Sequence, residues 1–535
     1  MQVTRRSQRT APGLRQTMSG LHIWVGLLFG WLLYPMFLTG TVSYFRSEIS
    51  QWMRPEIPSQ PFRQDDSAVA QRIVTALATL APNSAQWTIN LPDERDGNAS
   101  ASWGDRFNFD TAIFDSVTGQ KLAVRETRGG EFFYYFHFTL HYLPRPLGRW
   151  IVGLAAMAML TALVTGLITH KKIFTHFFTF RRAKGAVSWL DAHNAFAVLG
   201  LPFHLMITYT GLVTLMTLYM PWGGKVAMDQ PHGQRALTAQ LHVSVPSAPP
   251  IGRPLPLANV GEMVREAQTR WGAHNVQRVV VHNPGDAAAQ VVVVRSDVHR
   301  TSVSPQYLLF SGADGKLLEA SEVVGPAART RGVLYALHLG RFADTVTRWL
   351  YFTVSLAGTA MVGTGLILWT VKRRQKLPHP EKPYFGFWLA ERMNIASIAG
   401  LSIAMAAFFW GNRLLPSGIA QRGAWEVHLF FVVWALALGH ALVRPAQKAW
   451  TEQLWAATVL LALLPVLNAL TSERNLFASI SQGDAVFAGF DLTALALAVL
   501  HAALAVRTAR HSTKVRPART KPTSIVALRG TEGHP

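Results

Sequence analysis

The chain has no cysteine among its 535 residues. This absence excludes disulfides, cysteine-ligated iron–sulfur clusters, thiolate-ligated haem and covalently attached c-type haem. Histidine, which occurs 19 times, remains as the main nitrogen ligand for a metal. The sequence also lacks a P-loop and a glycine-rich dinucleotide fingerprint between a strand and a helix, so any nicotinamide or flavin chemistry is expected on a partner.

Charged residues are scarce, and acidic residues are fewer than basic ones. Only 15% of the residues are charged, with 51 Lys and Arg against 30 Asp and Glu, whereas 49% are hydrophobic. The basic residues cluster beside the apolar runs, which is typical of membrane orientation and not of nucleic-acid binding. We therefore expect an integral membrane protein in contact with lipid, with no nucleic acid among its partners.

Eight apolar runs approach the length of about 20 residues that spans a hydrocarbon core. The first four are residues 21–44, 150–169, 194–220 and 349–371, and the last four are 395–410, 425–442, 454–470 and 492–506. The first run is too long for a signal-peptide core and lacks an evident cleavage site, so it is interpreted as an uncleaved anchor. The fold class predicted is an α-helical integral membrane protein with about eight transmembrane helices.

The short loops between these runs are basic, which places both termini in the cytoplasm by the positive-inside rule. Two long segments then lie outside, and each combines an amphipathic helix with short strands, as in a small α+β domain. The predicted division runs through a cytoplasmic segment 1–20, a helix 21–44, a periplasmic domain 45–149, a helix 150–169, a cytoplasmic loop 170–193, a helix 194–220, a periplasmic domain 221–348, a helix 349–371, a cytoplasmic loop 372–394, a four-helix membrane extension 395–506 and a cytoplasmic tail 507–535.

The N-terminal part of the chain is repeated in its middle part. Aligning His22 with His193 places Gly40 on Gly211, eighteen residues on in both copies. The copies run in the same direction, so we expect a pseudo-twofold axis along the membrane normal. This axis would bring His22 and His193 to one depth on the inner side of the membrane.

The second helices of the repeat align through tryptophans and Thr-Gly dipeptides, namely Trp150 with Trp349 and Thr165-Gly166 with Thr364-Gly365. Just upstream, TLHYLPRPLGRW matches ALHLGRFADTVTRW after a two-residue gap, which pairs His141 with His338. These two histidines are expected at one depth on the outer side. His137, one turn before His141, is an alternative to it or a hydrogen-bond donor beside it.

Histidines on membrane helices indicate a functional site, because ionisable groups are costly inside a bilayer. Imidazoles at matching depths suggest axial ligation of haem iron, and so electron transfer across the membrane. His193 and His204, eleven residues apart, would lie on one helix face about 16.5 Å apart along the axis. Alternatives to haem ligation stay open for these histidines. They are contact with lipid headgroups, a helix cap or, for His204, a hydrogen bond to a carbonyl freed by Pro202.

Four stretches carry a resemblance to a known family: LHIWVGLLFG, TLHYLPRPLGRW, ITHKKIFTHFFTFRRAKGAVSWLDAHNAFAVLGLPFHLMITYTGL and LHLGRF…VGTGLILW. They resemble the PepSY-associated transmembrane family, which includes iron-regulated inner-membrane proteins and ferric-siderophore reductases. The resemblance covers about residues 18–375, and it implies that the two outer segments are PepSY domains. The last four helices resemble the extension of the longer members.

The resemblance implies a membrane reductase with haem b, in two copies. The positions that match family histidines, and so the expected ligands of haem iron, are His22, His141, His193, His338, His204 and His170, the last two matching the longer members. Asn194 stands where an arginine often follows the histidine.

The function implied is a reductase in the bacterial inner membrane. It would pass electrons from a cytoplasmic reductase or a quinol to a ferric siderophore in the periplasm and release Fe(II). Two other functions stay open: a non-enzymatic periplasmic binding protein on a membrane anchor, and a permease for a siderophore or metal. Both alternatives predict a colourless protein.

Overall fold

The computed structural model describes residues 13–58, 64–105, 108–170, 181, 184–229 and 248–511. Most of the predicted cytoplasmic tail and part of the predicted loop 170–193 therefore lie outside the described residues. The repeated part holds helices α1 (Leu14–Ser43), α2 (Arg46–Trp52), α3 (Asp66–Leu80), α4 (Glu131–Thr139), α5 (Arg145–Thr169), α6 (Ala186–Leu199), α7 (Leu201–Thr214), α8 (Met216–Tyr219), α9 (Pro221–Met228), α10 (Val260–Trp271), α11 (Pro326–Leu339) and α12 (Thr345–Arg374).

The extension follows with α13 (Phe385–Ile395), a π-helical turn (Ala396–Gly400), α14 (Leu401–Leu414), α15 (Arg422–Val443), α16 (Ala446–Thr471), α17 (Leu476–Gln482) and α18 (Ala485–His511). Within the described residues, seven helices are long and apolar enough to cross a membrane: α1, α5, α12, the continuous helix 385–414, α15, α16 and α18. The bent pair α6–α7 makes an eighth span if it counts as one. The prediction of a multi-pass helical membrane protein is confirmed.

The third span is broken where the sequence predicted one continuous helix. The axes of α6 and α7 differ by 69° across Gly200. Pro202 occupies the first turn of α7, where its missing N–H needs no partner. Hydropathy alone does not reveal this break, because both halves are apolar.

The strands of both long segments form one antiparallel sheet. Its strands are β1 (Gln86–Asn90), β2 (Ala99–Gly104), β3 (Phe109–Phe114), β4 (Val276–His282), β5 (Gln290–Arg295), β6 (Tyr307–Ser311) and β7 (Leu317–Ser321), in the order β3-β2-β1-β4-β5-β6-β7. The two copies join at the centre, where Trp87 of β1 lies opposite Val281 of β4 and Ile89 lies opposite Val279. The sheet thus crosses the boundary between the repeats, and we call this side of the molecule the sheet side and the opposite end of the bundle the far side.

Helices α3 and α10 cover one face of the sheet. Apolar residues at helical spacing, such as Ile73 and Leu77 of α3 and Val264 of α10, are fully buried against alternate strand residues. Side chains cap both helices: the Asp65 carboxylate accepts the N–H of Ser67, and the Asn259 amide oxygen accepts that of Glu262. This packing joins the seven strands and the two helices into one domain beside the membrane helices, which we call the sheet domain.

The extension packs against the repeated bundle. Its first span begins at Phe385, ten residues before the predicted residue 395. Near its start, Asn394 accepts a hydrogen bond from the Trp31 indole of α1 (2.8 Å) and donates to the Leu366 carbonyl of α12 (3.0 Å). Buried polar groups therefore join the extension to two helices of the repeat.

A turn between β1 and β2 provides a test of the sheet domain's stability. Burial raises the pKa of Asp96 to about 6, partly offset by the Asn98 N–H that its carboxylate accepts. The unfolded pKa is about 3.9, so the ionised carboxylate costs stability above pH 6, and this cost disappears as the pH falls below about 4. We expect Asp96→Asn to raise the thermal midpoint in detergent at pH 7.5 and to have no effect at pH 3.5.

The exposed Asp314 is the matched control with the opposite sign. The Ser311 hydroxyl and Lys316 lower its pKa to about 2, so its charge stabilises the fold above pH 4 and this stabilisation fades as the pH falls toward 2. Asp314→Asn should lower the midpoint slightly at pH 7.5. A lower midpoint for Asp96→Asn at that pH would show that its charge stabilises the turn.

Candidate functional site

Two pairs of imidazoles lie in the repeated bundle, one toward each end. On the far side, His22 of α1 faces His193 of α6, with ring centroids 6.1 Å apart and ring planes at 67°. On the sheet side, His137 of α4 faces His338 of α11, with centroids 6.2 Å apart and planes at 26°. Each pair takes one histidine from each copy of the repeat, as expected for residues beside a pseudo-twofold axis.

Helix α1 gives the separation of the two pairs. It carries His22 and, at the level of His137, Gly40, and eighteen residues correspond to about 27 Å along a helix. The hydrocarbon core of a bilayer is about 30 Å thick. The two pairs therefore lie close to opposite surfaces of the membrane.

Each imidazole packs against the glycine of a Thr-Gly dipeptide. A Cβ placed on these glycines would fall within about 3 Å of the facing ring's Cε1: Gly40 at 2.8 Å from His137, Gly166 at 3.1 Å from His22, Gly211 at 3.0 Å from His338 and Gly365 at 3.1 Å from His193. The repeat relates these dipeptides as two pairs, Gly40 with Gly211 and Gly166 with Gly365, and in all four the glycine lets a ring lie directly on a helix backbone.

The same helices orient the rings. In each case Nδ1 lies at hydrogen-bond distance from the carbonyl four residues before that glycine: His22 to Ala162 (2.8 Å), His137 to Met36 (2.7 Å), His193 to Met361 (2.9 Å) and His338 to Ile207 (3.0 Å). A carbonyl only accepts, so Nδ1 carries the proton and donates it. Nε2 is left with a lone pair, which is the arrangement of a metal-ligating histidine.

The spacing of each pair fits a metal between two imidazoles. With a metal–nitrogen distance near 2.0 Å, and a ring centroid about 1.1 Å behind its nitrogen, two axial imidazoles have centroids roughly 6 Å apart. In the described part of the chain no three His, Asp or Glu side chains converge as a metal cluster would require. Two neutral imidazoles at this spacing suit haem, whose macrocycle would supply the remaining four ligands.

The structure places His137 opposite His338, whereas the repeat alignment related His141 to His338. Leu140 and Tyr142, which flank His141, have positive φ angles of 56° and 62°. This unusual turn ends α4 and directs His141 to the extension, where its ring stacks on Phe431 at 5.5 Å. The alignment placed the two extra residues between histidine and tryptophan in the second copy, whereas the structure places them in the first copy, between His137 and Trp150.

One pattern in the sequence does indicate the pairing of His137 with His338. Tyr134 and Tyr335 each lie three residues before the paired histidine, so an ungapped alignment of Y-x-x-H relates His137 to His338. The guanidinium groups of Arg46 and Arg331 lie over these two tyrosine rings, at 4.4 and 4.7 Å respectively. The fourth dipeptide, Thr39-Gly40, also has a glycine that faces an imidazole, that of His137.

His204 is not in either pair. It is fully buried at the bend, and its Nε2 lies 3.3 Å from the Phe196 carbonyl. That carbonyl is freed there because the Gly200 N–H binds Val198 instead. The contact supports the simpler alternative for His204, a bond to a carbonyl released by the break, and Nδ1 has no hydrogen-bond partner among the described residues.

His170 ends α5, one turn beyond Gly166, with its backbone N–H on the Gly166 carbonyl at 3.1 Å. It therefore lies near the far-side pair without belonging to it. Asn194, next to His193, is buried.

A cleft extends from the sheet-side pair into the sheet domain. It has an empty volume of about 1720 Å³, part of it open to solvent, and both histidines and Gly40 and Gly211 line it. Guanidinium groups also line it, those of Arg46, Arg95, Arg341 and Arg348. Glu48 accepts from both Arg95 (2.5 Å) and Arg348 (3.2 Å), and Asp93 and Glu94 also line the cleft, so its wall carries charges of both signs. The guanidinium groups are the ones that could contact acidic groups such as the propionates of a haem.

Comparison with known proteins agrees with this geometry. No curated protein matches the chain. The family model described as PepSY-associated TM region matches residues 19–372, more than half of the chain. The match includes both histidine pairs and all four Thr-Gly dipeptides and ends before the extension, and it confirms the family predicted from the sequence. The chain therefore belongs to the PepSY-associated TM region family.

Proposed function

We propose that the protein is a haem b membrane reductase that carries electrons across the bacterial inner membrane to a ferric siderophore. One observation carries the proposal, namely two imidazole pairs, built alike, toward opposite ends of the helical bundle. His22 and His193 would hold one haem, and His137 and His338 the other. Haem bound in this way supplies reversible one-electron redox chemistry with little movement of its ligands.

The protein's own residues would bind, orient and insulate these groups. The backbone carbonyls on Nδ1 fix the tautomer and plane of each ring, and the glycines let the rings approach. Apolar helices pack around both pairs, and the sheet-side pair also borders the cleft. The arginines of the sheet-side cleft would hold propionates and dock a substrate close to the sheet-side pair.

The orientation predicted from the basic loops places the sheet domain in the periplasm and both termini in the cytoplasm. Electrons would then enter at the far-side pair from a cytoplasmic reductase or a quinol and leave at the sheet-side pair. Each ferric siderophore takes up one electron, and the Fe(II) formed is held less tightly by hard oxygen ligands and released. The chelate approaches through the cleft.

Stopped-flow spectroscopy tests the proposal directly. The purified protein, reduced with dithionite and freed of excess reductant, is mixed with a ferric hydroxamate siderophore. We expect the reduced haem bands to disappear as Fe(II) appears in a ferrozine trap, one iron per electron. The Ga(III) complex of the same siderophore, with equal charge and similar size but no accessible reduced state, is the control and should leave the bands unchanged. Reduced bands that persist with the ferric complex would show that the haems do not reduce a ferric siderophore and would contradict the proposed substrate.

The glycine packing leads to a further prediction. Gly40→Ala places a methyl group 2.8 Å from His137 Cε1, so the ring must move off the α1 backbone. We expect the sheet-side haem to be lost or its binding weakened by about tenfold or more, while the far-side haem stays. Gly26→Ala on the same helix is the matched control, because no atom lies within 4 Å of its added Cβ. The haem-to-protein ratio measures the result, and equal ratios for the two variants would contradict the packing argument.

A further inference from the structure

The threonine of each Thr-Gly dipeptide shares a carbonyl with the imidazole. Its hydroxyl donates to two backbone oxygens of its own helix: Thr39 to Pro35 (2.6 Å) and Met36 (3.4 Å), Thr165 to Thr161 (2.7 Å) and Ala162 (3.2 Å), Thr210 to Met206 (2.7 Å) and Ile207 (3.3 Å), and Thr364 to Ala360 (2.7 Å) and Met361 (3.0 Å). The second oxygen in each case is the one that accepts the histidine Nδ1–H. At two sites the hydroxyl oxygen also lies near that nitrogen, Thr210 at 3.2 Å from His338 Nδ1 and Thr165 at 3.5 Å from His22 Nδ1.

Helix stability does not explain these threonines. Threonine is a weak helix former, and a hydroxyl that bonds back to its own helix destabilises it slightly. The glycine beside each threonine already provides the space for the ring. The recurrence of this polar residue at all four sites therefore indicates that it acts on the neighbouring histidine.

The shared carbonyl provides that reason. A second donor on an oxygen makes it a weaker acceptor for the first, so the hydroxyl loosens the imidazole N–H bond. When the hydrogen bond from Nδ1–H to the carbonyl is weaker, the imidazole donates less electron density to iron. It then stabilises Fe(III) less. Removing the hydroxyl should strengthen the imidazole–carbonyl bond and stabilise the ferric state.

We propose that the four threonine hydroxyls are positioning groups that raise the reduction potential of each haem by competing for the carbonyl behind its ligand. This inference rests on the proposed haem sites. The competition is strongest at Thr364, where the hydroxyl lies 3.0 Å from the shared Met361 oxygen, and weakest at Thr39, at 3.4 Å. Thr364 therefore has the largest influence, exerted on the far-side haem through His193.

The test is a spectroelectrochemical titration of the full chain with Thr364→Val, which keeps the shape of the side chain and removes the donor. We expect the Fe(II)/Fe(III) ratio of the far-side haem, read at the wild-type midpoint, to fall on the order of fivefold, the effect of altering one hydrogen bond. The sheet-side haem should be unchanged, and Thr364→Ser should restore the wild-type ratio. Thr353→Val on the same helix is the control, because that hydroxyl bonds only the Trp349 carbonyl, at 2.8 Å, and contacts no histidine.

Two outcomes overturn the inference. One is a Thr364→Val protein with both haems and wild-type potentials, and the other is an equal shift from Thr353→Val. If Thr364→Val fails to retain haem, Thr39→Val provides the same test through His137, and a smaller fall of the Fe(II)/Fe(III) ratio is then expected at the sheet-side haem. A wild-type protein without haem is a different result, because it refutes the proposed function itself.

Discussion

Replacement of His137 by alanine is expected to leave one haem per chain in place of two. The structure makes His137 the only imidazole facing His338 among the described residues, at 6.2 Å between centroids, with Nδ1 on the Met36 carbonyl. Loss of an axial ligand inside an apolar bundle removes both the bond and the orienting hydrogen bond. Reduced-minus-oxidised absorption spectra with a haem-to-protein ratio measure the loss.

The matched control is His141→Ala, one turn along the chain. His141 stacks on Phe431 and lies outside the pair, so this variant should keep two haems. His204→Ala should also keep two, because that ring bonds a freed carbonyl at the bend. If His141→Ala loses a haem and His137→Ala does not, the sequence alignment was right and the geometry of the sheet-side pair is wrong.

Replacement of Glu426 by alanine is expected to destabilise the protein by about 3–5 kcal/mol, the usual cost of breaking a buried ion pair. Glu426 and its partner Arg422 are fully buried, with 2.8 Å between Oε1 and Nη1. The other carboxylate oxygen accepts the Thr127 hydroxyl at 2.6 Å and the Arg128 N–H at 3.2 Å. Alanine would leave a buried guanidinium without its carboxylate.

This network has a second consequence, because Thr127 and Arg128 lead directly into α4. The aromatic face of that helix packs on the extension, with Phe132 against Phe408 and Phe430. The extension therefore holds the helix that carries His137, and Glu426→Ala should lower retention of the sheet-side haem before that of the far-side haem.

The control for this prediction is Glu452→Ala, in the same extension. Glu452 pairs with Arg444 while about a third of its side chain is exposed, so its loss should cost no more than about 1 kcal/mol. Thermal midpoints in detergent, followed by circular dichroism, compare the two variants. Equal midpoints would show that the buried pair does not stabilise the extension.

The membrane part of the fold was predictable because hydropathy reports burial in lipid directly. The break at Gly200 was not predicted, although Gly200 and Pro202 are the residues that allow it, since apolar sequence continues through the bend. The pairing of β1 with β4 was also not predicted. Strand periodicity shows which face of a strand is buried, but it does not show which distant strand lies beside it.

The candidate site was partly predictable for a related reason. The repeat brought His22 to His193 and related Gly40 to Gly211, and both relations hold in the structure. The error at His141 came from the position of one gap, because the helix ends there in a turn with two positive φ angles. The carbonyls that accept from both a threonine and a histidine could not be predicted from the sequence, because they depend on which helix faces each ring.

The central claim is that two imidazole pairs bind haem, and a pyridine haemochrome assay of the purified, full-length protein tests it most directly. The protein should be expressed with ample haem supply and assayed against a precise protein concentration. The account predicts two haem b per chain, falling to one in His137→Ala and in His193→Ala. A colourless protein, or a haem content that none of the four paired histidines affects, would contradict it.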